Sequence, residues 1–340
     1  MGVVVCSDGV ETDRVRVLVL LSVVLVTCVV SSTATASELI DRNATGVKLA
    51  VNAKGEALVT YRAAGKLKHV LASGAVNAIA PTQARKQVEF KLDYAGGWGQ
   101  YRKEYWKTFG AKCGAYDGPA LAWNVTACKA PDGSYWALQS WQRMLPNYGV
   151  APTAASSVWE LRLSHWTGDL PVLSISTDWA WHQWDHLYGT FTYGDSPVFG
   201  FKSKPSGEPL DTFGRNIYVD TFDSTYGAGW KRENSFLTHT GTGAFCYSFN
   251  PHGDRPSGKG TKYRATVEGP GVTPDVMWQG ASPGTYDKTA DGVANERNVA
   301  SSRGLTSFGS RRTWHPVGFS HRPYSLPTCQ ASRHNSQRPR

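Results

Sequence analysis

Hydrophobic and polar residues alternate with a period of two wherever the chain is regular, and this period is typical of half-buried β-strands. Clusters of Gly, Pro, Asp and Asn, the residues that turns favour, interrupt the alternation. Strands are predicted at residues 47–51, 57–61, 88–94, 122–127, 134–141, 187–193, 198–201, 216–222, 235–239, 245–249 and 263–267, and one short helix at 100–109. Many short strands separated by turns are typical of an antiparallel β-sandwich.

The clearest predicted hairpin lies in the middle of the chain. Apolar and polar residues alternate over 159–163, a turn follows at 167–169, and the alternation resumes over 173–181. One face of this hairpin is expected to be apolar and the other to lie in water, as in many antiparallel sheets. Trp179 and Trp181 share the apolar face, so both are expected to pack in the core.

The predicted fold class is therefore all-β, an antiparallel β-sandwich of jelly-roll or meander type. Residues 37–292 are enough for one large sandwich or for two β domains. For two domains, residues 37–150 form a β-rich domain and residues 151–292 form a second sandwich. The segments outside this fold are predicted to be a signal peptide, residues 1–36, and a basic disordered tail, residues 293–340.

The first 36 residues match an export signal. Arg14 and Arg16 precede an apolar run from Val17 to Val30, and the small residues 34–36 suit a signal peptidase, so we expect a secreted mature chain that begins at Ser37. The apolar run contains 14 residues, fewer than the roughly 20 that span a bilayer as a helix. No transmembrane anchor is therefore expected in the mature chain.

The formal net charge of +9 is unevenly distributed along the chain. Residues 1–36 carry −1, residues 37–292 carry +3 with 26 basic and 23 acidic residues, and residues 293–340 carry +7. The predicted fold is thus near neutral, and no nucleic-acid partner is predicted for it. The tail is expected to be a solvated extension, with an electrostatic anchor for an acidic envelope polymer as the alternative.

The cysteines fit an exported protein. Cys113 and Cys128 flank a turn-rich loop around Asp117, and a disulfide bond between them would close a loop of about 15 residues and contribute roughly 3 kcal/mol. Cys246 lies in an apolar strand pattern and is expected to be a buried thiol, while its pairing with Cys329 is left open. No pair of Cys-x-x-Cys units predicts a zinc site.

The segment from Asp178 to Tyr188 concentrates three Trp, two His and two Asp. Aromatic rings can stack on the apolar faces of sugars while carboxylates and imidazoles bind hydroxyl groups. The candidate ligand-binding residues here are Asp178, His182, Trp184, Asp185 and His186. His182, Asp185 and His186 also spell His-x-x-Asp-His, which resembles the His-x-x-Glu-His of inverted zinc peptidases. The motif departs from that family at the carboxylate and is not in a predicted helix, so no metal site is predicted.

A second group of candidate ligand-binding residues follows, comprising Asp220, Asp223, Trp230 and His239. Asp220 and Asp223 would point to opposite faces of a continuous strand, which argues against a pair of catalytic carboxylates. Turn chemistry accounts for Asp223, and the spacing of an EF-hand is absent. The chain also lacks a Gly-x-Ser-x-Gly elbow and a Gly-x-Gly-x-x-Gly loop, so neither a catalytic residue nor a cofactor is predicted.

Three functions are compatible with these features. The first hypothesis is a non-catalytic extracellular protein that binds a saccharide or another component of the cell wall or envelope. The alternatives are a secreted polysaccharide hydrolase or lyase, and a structural or partner-binding envelope protein whose Trp side chains all lie in the core. Aromatic rings along an exposed groove would favour binding, whereas two carboxyl groups that converge in a deep cleft would favour the enzyme.

Overall fold

Antiparallel β-strands make up most of the described chain, as the alternation of residues predicts. The structure is a computed structural model that describes residues 37–79, 84, 88–144, 157–198, 216–237, 244–251 and 256–309. The predicted signal peptide, residues 1–36, lies outside the described residues.

The strands of the described residues are β1 (Glu38–Arg42), β2 (Thr45–Val51), β3 (Ala57–Ala63), β4 (Lys66–Ser73), β5 (Lys91–Asp93), β6 (Gly114–Ala115), β7 (Asn124–Lys129), β8 (Tyr135–Met144), β9 (Ser157–Trp166), β10 (Val172–Ala180), β11 (Trp184–Tyr193), β12 (Ser196–Pro197), β13 (Asn216–Ser224), β14 (Gly227–Leu237), β15 (Ala244–Ser248), β16 (Lys262–Val267) and β17 (Val276–Ala281). The helices are α1 (Trp98–Tyr101), a 3-10 turn (Tyr105–Thr108) and α2 (Lys288–Gly309). The first two lie where the short helix was predicted.

The strands form four antiparallel sheets. Sheet 1 has the order β1-β9-β8-β7-β6, and sheet 2 has the order β2-β3-β4-β5. Sheet 3 has the order β14-β13-β16-β17, and sheet 4 has the order β10-β11-β12 with β15 also paired to β11. The strands predicted at residues 47–51 and 57–61 pair as the hairpin β2–β3, and those predicted at 122–127 and 134–141 pair as the hairpin β7–β8.

Two hydrophobic clusters hold these sheets together in pairs, which gives the sandwich architecture that the sequence predicts. Sheets 1 and 2 enclose a cluster that includes Trp136, Leu138, Leu161, Val59, Tyr61 and Val70. Sheets 3 and 4 enclose a second cluster that includes Ile217, Val219, Tyr263, Leu187, Phe191 and Phe249.

The hairpin predicted over residues 159–181 is wrong. β9 pairs with β8 and β1, whereas β10 pairs with β11, so the two segments belong to different sheets. Their alternation is real, but the polar side chains of β9 are buried instead of facing water. Glu160 and Arg162 lie at the contact between sheets 1 and 3, where the ring of Trp141 meets that of Tyr218 at 4.9 Å. Alternation shows which side chains share a face and does not show which strand is the partner.

The strands change from the first hydrophobic cluster to the second between β9 and β10, later than the predicted division between residues 150 and 151. Because residues 35–340 behave as one compact unit, the division into two domains stays a prediction. The predicted start of the tail at residue 293 needs correction, since residues 293–309 belong to helix α2. Residues 310–340 lie outside the described residues.

The disulfide bond between Cys113 and Cys128 is present, as predicted, and its Cα atoms lie 5.7 Å apart. The bond joins β7 to the segment that precedes β6. The prediction for Cys246 is corrected, because this residue is disulfide-bonded and only half-buried in the described strand β15.

A cluster of buried charges lies between sheets 1 and 3, with the Arg162 guanidinium at its centre. Arg162 is 1% exposed, and its Nη2 lies 2.6 Å from a carboxylate oxygen of Glu160 and 2.6 Å from one of Glu268. Asp275 approaches Arg162 Nε at 4.0 Å. Burial alone would raise the pKa of Glu160, but the guanidinium groups of Arg162 and Arg143 hold that pKa below its usual value. Burial raises the pKa of Glu268.

Replacing Arg162 by Met is expected to lower the free energy of unfolding by about 3–5 kcal/mol, because it leaves buried carboxylates without their cation. Urea unfolding followed by tryptophan fluorescence measures the loss. Arg42→Met is the matched control, since Arg42 pairs with the same Glu160 from a side chain that is 47% exposed and is expected to cost less than about 1 kcal/mol. Equal losses in the two variants would contradict the central role of Arg162.

Stability is also expected to depend on pH through His165. Its ring stacks on Trp136 at 3.8 Å, and burial lowers its pKa from 6.5 to about 4. Because the unfolded chain binds the proton more tightly, this contribution is complete above pH 6.5 and is lost as the pH falls towards 4. We expect the free energy of unfolding to fall by up to about 3 kcal/mol across this window in the wild type. A His165→Gln variant with the same pH slope would refute this assignment.

Candidate functional site

The outer face of sheet 4, which points away from the hydrophobic cluster, is polar. The register of β10 and β11 places Ser174 opposite Thr190, Ser176 opposite Tyr188, and Asp178 opposite His186 on this face. Helix α2 lies against the same face, where the Tyr188 hydroxyl donates to the Asn298 carbonyl oxygen at 2.9 Å. A second contact brings Asn298 Oδ1 to 3.5 Å from Ser176 Oγ.

Asp178 and His186 form a buried hydrogen-bonded pair beneath α2. His186 Nδ1 donates to Asp178 Oδ1, and Asp178 Oδ2 accepts a hydrogen bond from Asn298 Nδ2 at 2.7 Å. A carboxylate that accepts from Nδ1 leaves Nε2 of a neutral imidazole as a proton acceptor. Within the described residues, His186 Nε2 is buried and has no hydrogen-bond partner. The pair therefore has the orientation of a general base.

Ser248 continues this pair on the other side of β11. It lies opposite His186 in the pairing of β11 with β15, so its side chain emerges on the same face. Its hydroxyl oxygen is buried and lacks a hydrogen-bond partner among the described residues. Asp178, His186 and Ser248 thus form a row across three adjacent strands, which we call the Asp-His-Ser row. A carboxylate, an imidazole and a hydroxyl are the groups that nucleophilic catalysis by serine requires.

A cleft of about 580 Å³ opens between strand β10, the loop after β17 and the beginning of α2. Trp179 supplies an aromatic surface in this cleft, and Arg297 and Asp287 supply opposite charges. The remaining lining residues are Thr177, Pro283, Thr289, Ala290, Val293 and Ala294. A smaller cavity of about 150 Å³ lies beside it and shares Arg297. The cleft therefore combines an indole with hydroxyl, carboxylate and guanidinium groups.

Aromatic rings cluster at the end of the hairpin that carries Trp179. Trp181 and His182 occupy the turn with φ of 51° and 58°, a left-handed conformation that is costly for residues other than glycine. The His182 ring lies 4.9 Å from that of Tyr286, and Tyr286 meets Trp179 edge-on at 5.6 Å. Trp181 is 49% exposed and Trp179 is half-buried beside the cleft, so the expectation that both pack in the core is wrong.

The structure brings together only some of the candidate residues from this segment. Asp178 and His186 are in contact, Trp184 is half-buried on the same face of sheet 4, and His182 is exposed in the turn. Asp185 lies on the opposite face, where it accepts a hydrogen bond from Tyr263 and pairs with Lys259 at 3.3 Å. Within the described part of the chain, no group of three or more His, Cys, Asp or Glu is placed to hold a metal ion.

The second group of candidates lies elsewhere. Asp220 is buried and pairs with Arg232 at 2.5 Å and with Arg264 at 2.8 Å. The Arg264 guanidinium in turn lies 4.3 Å from the centre of the Trp230 ring. These residues therefore belong to the packing of sheet 3. Asp223 accepts a hydrogen bond from the Gly229 amide at 2.7 Å, which is the turn role that the sequence predicts. His239 lies outside the described residues.

Sequence reasoning missed Ser248, Asn298 and the residues of the cleft that α2 contributes. Asn298 and the cleft residues Val293, Ala294 and Arg297 were missed for one reason, the assignment of residues from 293 onward to a tail. Asp287 carries the missed signal, because its side chain accepts a hydrogen bond from the Ala290 amide at 2.8 Å, as an N-cap residue does at the start of a helix. Ser248 carries no signal in the sequence, since only the pairing of β15 with β11 places it beside His186.

Comparison of the chain with known protein families, with curated proteins and with solved structures found no match. Among the described residues, no helix has the length and apolar character that spanning a membrane requires. The proposed function therefore rests on the chemistry of the site.

Proposed function

We propose that this protein binds a saccharide in the cleft between β10 and α2 without chemically changing it. The observation that carries the proposal is Trp179, a half-buried aromatic side chain that lines an open cleft together with exposed charged residues. Aromatic rings offer a flat apolar surface to a sugar ring, and this indole is braced edge-on by Tyr286. A braced ring loses little conformational freedom when a ligand binds.

The polar groups of the cleft match the needs of sugar hydroxyls. Arg297 offers several N–H donors, Thr177 and Thr289 offer hydroxyl groups, and Asp287 offers a carboxylate acceptor. The volume of about 580 Å³ falls in the usual range for small-molecule sites. Asp287 is the single carboxylate among the described lining residues, so the cleft lacks the pair of carboxyl groups that glycoside hydrolysis uses. This supports binding over cleavage of the polymer.

The sequence features agree with an extracellular ligand. The predicted signal peptide and the Cys113–Cys128 disulfide bond fit an oxidising compartment outside the cell, where saccharides of walls and surfaces are the abundant polymers. The proposed ligand class is therefore a cell-surface or cell-wall saccharide.

The Asp-His-Ser row supports a second candidate function, hydrolysis of an acyl ester. In such a reaction Ser248 Oγ forms a bond to the ester carbonyl carbon while His186 Nε2 takes the hydroxyl proton, and the alcohol leaves with that proton as the carbon–oxygen bond breaks. A water molecule then attacks the acyl-serine, giving its proton to His186, and the acid is released with Ser248 restored. Asp178 holds the imidazole in the required tautomer. The observation behind this candidate is the placement of the three side chains on one face of sheet 4. His186 Nε2 and Ser248 Oγ make no hydrogen bond with each other, so the two side chains must rotate into contact before the proton is transferred.

Trp179→Ala is expected to weaken saccharide binding about tenfold or more, because truncating a central aromatic contact removes most of its stacking surface. A glycan array with the chain from Ser37 identifies the ligand, and calorimetry measures the affinity. Trp159→Ala is the matched control, since Trp159 is 47% exposed on sheet 1 and is expected to leave the affinity within about twofold. Absence of any glycan ligand, or full affinity in Trp179→Ala with an unchanged unfolding midpoint, would contradict the proposal and favour a structural role.

A fluorophosphonate probe tests the second candidate. Covalent labelling is expected at Ser248, and it should disappear in Ser248→Ala and His186→Ala and become slower in Asp178→Asn, because each variant removes part of the activated nucleophile. Ser174→Ala is the control, since Ser174 is an exposed serine on the same face of sheet 4. Peptide mass mapping that finds no label, or a label on another serine, would exclude this activity.

A further inference from the structure

Charge is distributed asymmetrically within the folded part of the chain, although its sum is near zero. Residues 37–112 contain 13 basic and 6 acidic residues, a net charge of +7, whereas residues 113–292 contain 13 basic and 17 acidic residues, a net charge of −4. The first range supplies every strand of sheet 2 and the segment that carries α1 and the 3-10 turn. Apart from Arg42 on β1, the described basic residues of this range lie on the strands and turns of sheet 2 or on the segment that follows β5.

The outer face of sheet 2 presents basic side chains to solvent. The strand registers place Lys48 opposite Thr60, Thr60 opposite His69, and Arg62 opposite Leu67, all on the face away from the hydrophobic cluster. Lys48 and Arg62 are exposed, and neither makes an ion pair within the described residues. Leu67 is 52% exposed beside them.

The segment after β5 adds more ammonium groups to this face. The Trp106 ring stacks on that of His69 with centroids 4.2 Å apart, so the 3-10 turn is anchored to sheet 2. Lys107 Nζ lies 5.2 Å from the centre of the Trp106 ring, and Lys103 Nζ lies 5.7 Å from that of Tyr105. Contact with an aromatic ring holds each ammonium group near the surface while leaving it hydrated.

We propose that this surface, the basic platform of Lys48, Arg62, Lys103, Trp106 and Lys107, binds an acidic polysaccharide through the carboxylate or sulfate groups on its sugar rings. Lys48, Arg62 and Lys103 make no ion pair among the described residues, whereas Lys107 pairs with Glu104 at 2.5 Å in an exposed contact. Several cations on one face attract a polymer with repeated negative charges more strongly than any single contact would. The platform is a second binding surface, on sheet 2, whereas the cleft lies on sheet 4.

The arrangement of the rings favours an acidic polysaccharide over a single-stranded nucleic acid. Binding of single strands uses free aromatic faces on which bases stack. Here Trp106 is already stacked on His69, and Tyr105 is stacked on Tyr101 with centroids 4.0 Å apart. Lys107 and Lys103 also approach the Trp106 and Tyr105 rings, so the platform offers cations and little free ring surface.

The test uses the chain from Ser37 with polygalacturonate and heparin as acidic probes, neutral dextran as the uncharged probe, and a single-stranded oligonucleotide of matched charge. At least one of the acidic probes should bind at low salt, and its affinity should fall as the salt concentration rises. Any binding of dextran should have the same affinity in the wild type and in variants of the platform. The triple variant Lys48→Gln, Arg62→Gln, Lys103→Gln should lower the affinity for the acidic probe about tenfold or more. Binding of polygalacturonate alone identifies carboxylate recognition, and binding of heparin alone identifies sulfate recognition.

The control triple variant Lys231→Gln, Lys262→Gln, Lys288→Gln removes the same charge from exposed lysines outside sheet 2 and should change the affinity less than about twofold. Equal losses in the two triple variants, no binding of either acidic probe at low salt, or tighter binding of the oligonucleotide would overturn the proposal. Trp179→Ala should leave the affinity for the acidic probes unchanged. The proposal for the cleft and the proposal for the platform are therefore tested independently.

Discussion

The buried guanidinium of Arg162 is the interaction on which the stacking of the sheets depends. It neutralises Glu160 on its own strand and Glu268 after β16, and therefore joins sheet 1 to sheet 3. Asp275 extends the network, since it accepts hydrogen bonds from the Ser37 hydroxyl at 2.6 Å and the Trp141 indole at 2.7 Å. Each carboxylate is stable in the interior only while its partners are in place, so the two sandwiches cannot separate without exposing or orphaning these charges.

Sheets 1 and 3 meet at this polar contact, and the outer faces of sheets 2 and 4 point away from it. The outer face of sheet 2 carries the basic platform, with Arg62 and Lys107 in solvent. The outer face of sheet 4 carries the Asp-His-Ser row, and α2 covers it through Asn298. Both faces are polar because the apolar face of each sheet is used in a sandwich core. The cleft lined by Trp179 arises where α2 meets the edge strand β10 instead of covering it fully.

The predictable parts of the structure are those that local pattern controls. Alternation located the hairpin β2–β3, and the turn-rich loop between Cys113 and Cys128 located their disulfide bond. The same alternation failed for β9, where Glu160 and Arg162 looked like a solvated face and instead neutralise one another in the interior. A polar side chain in a strand needs a hydrogen-bonding or charged partner. The sequence does not show whether water or a buried opposite charge is that partner.

The sequence by itself determined the strand content, the disulfide bond and the segregation of charge along the chain, because each depends on residues close together or on simple counts. Tertiary structure alone decided that Trp181 lies in an exposed turn, that Asp185 turns away from His186, and that Ser248 completes a row with Asp178. Those outcomes depend on which strands pair and in which register. A shift of one residue reverses every side chain between the two faces of a sheet, and long-range pairing is set by the burial of the whole core.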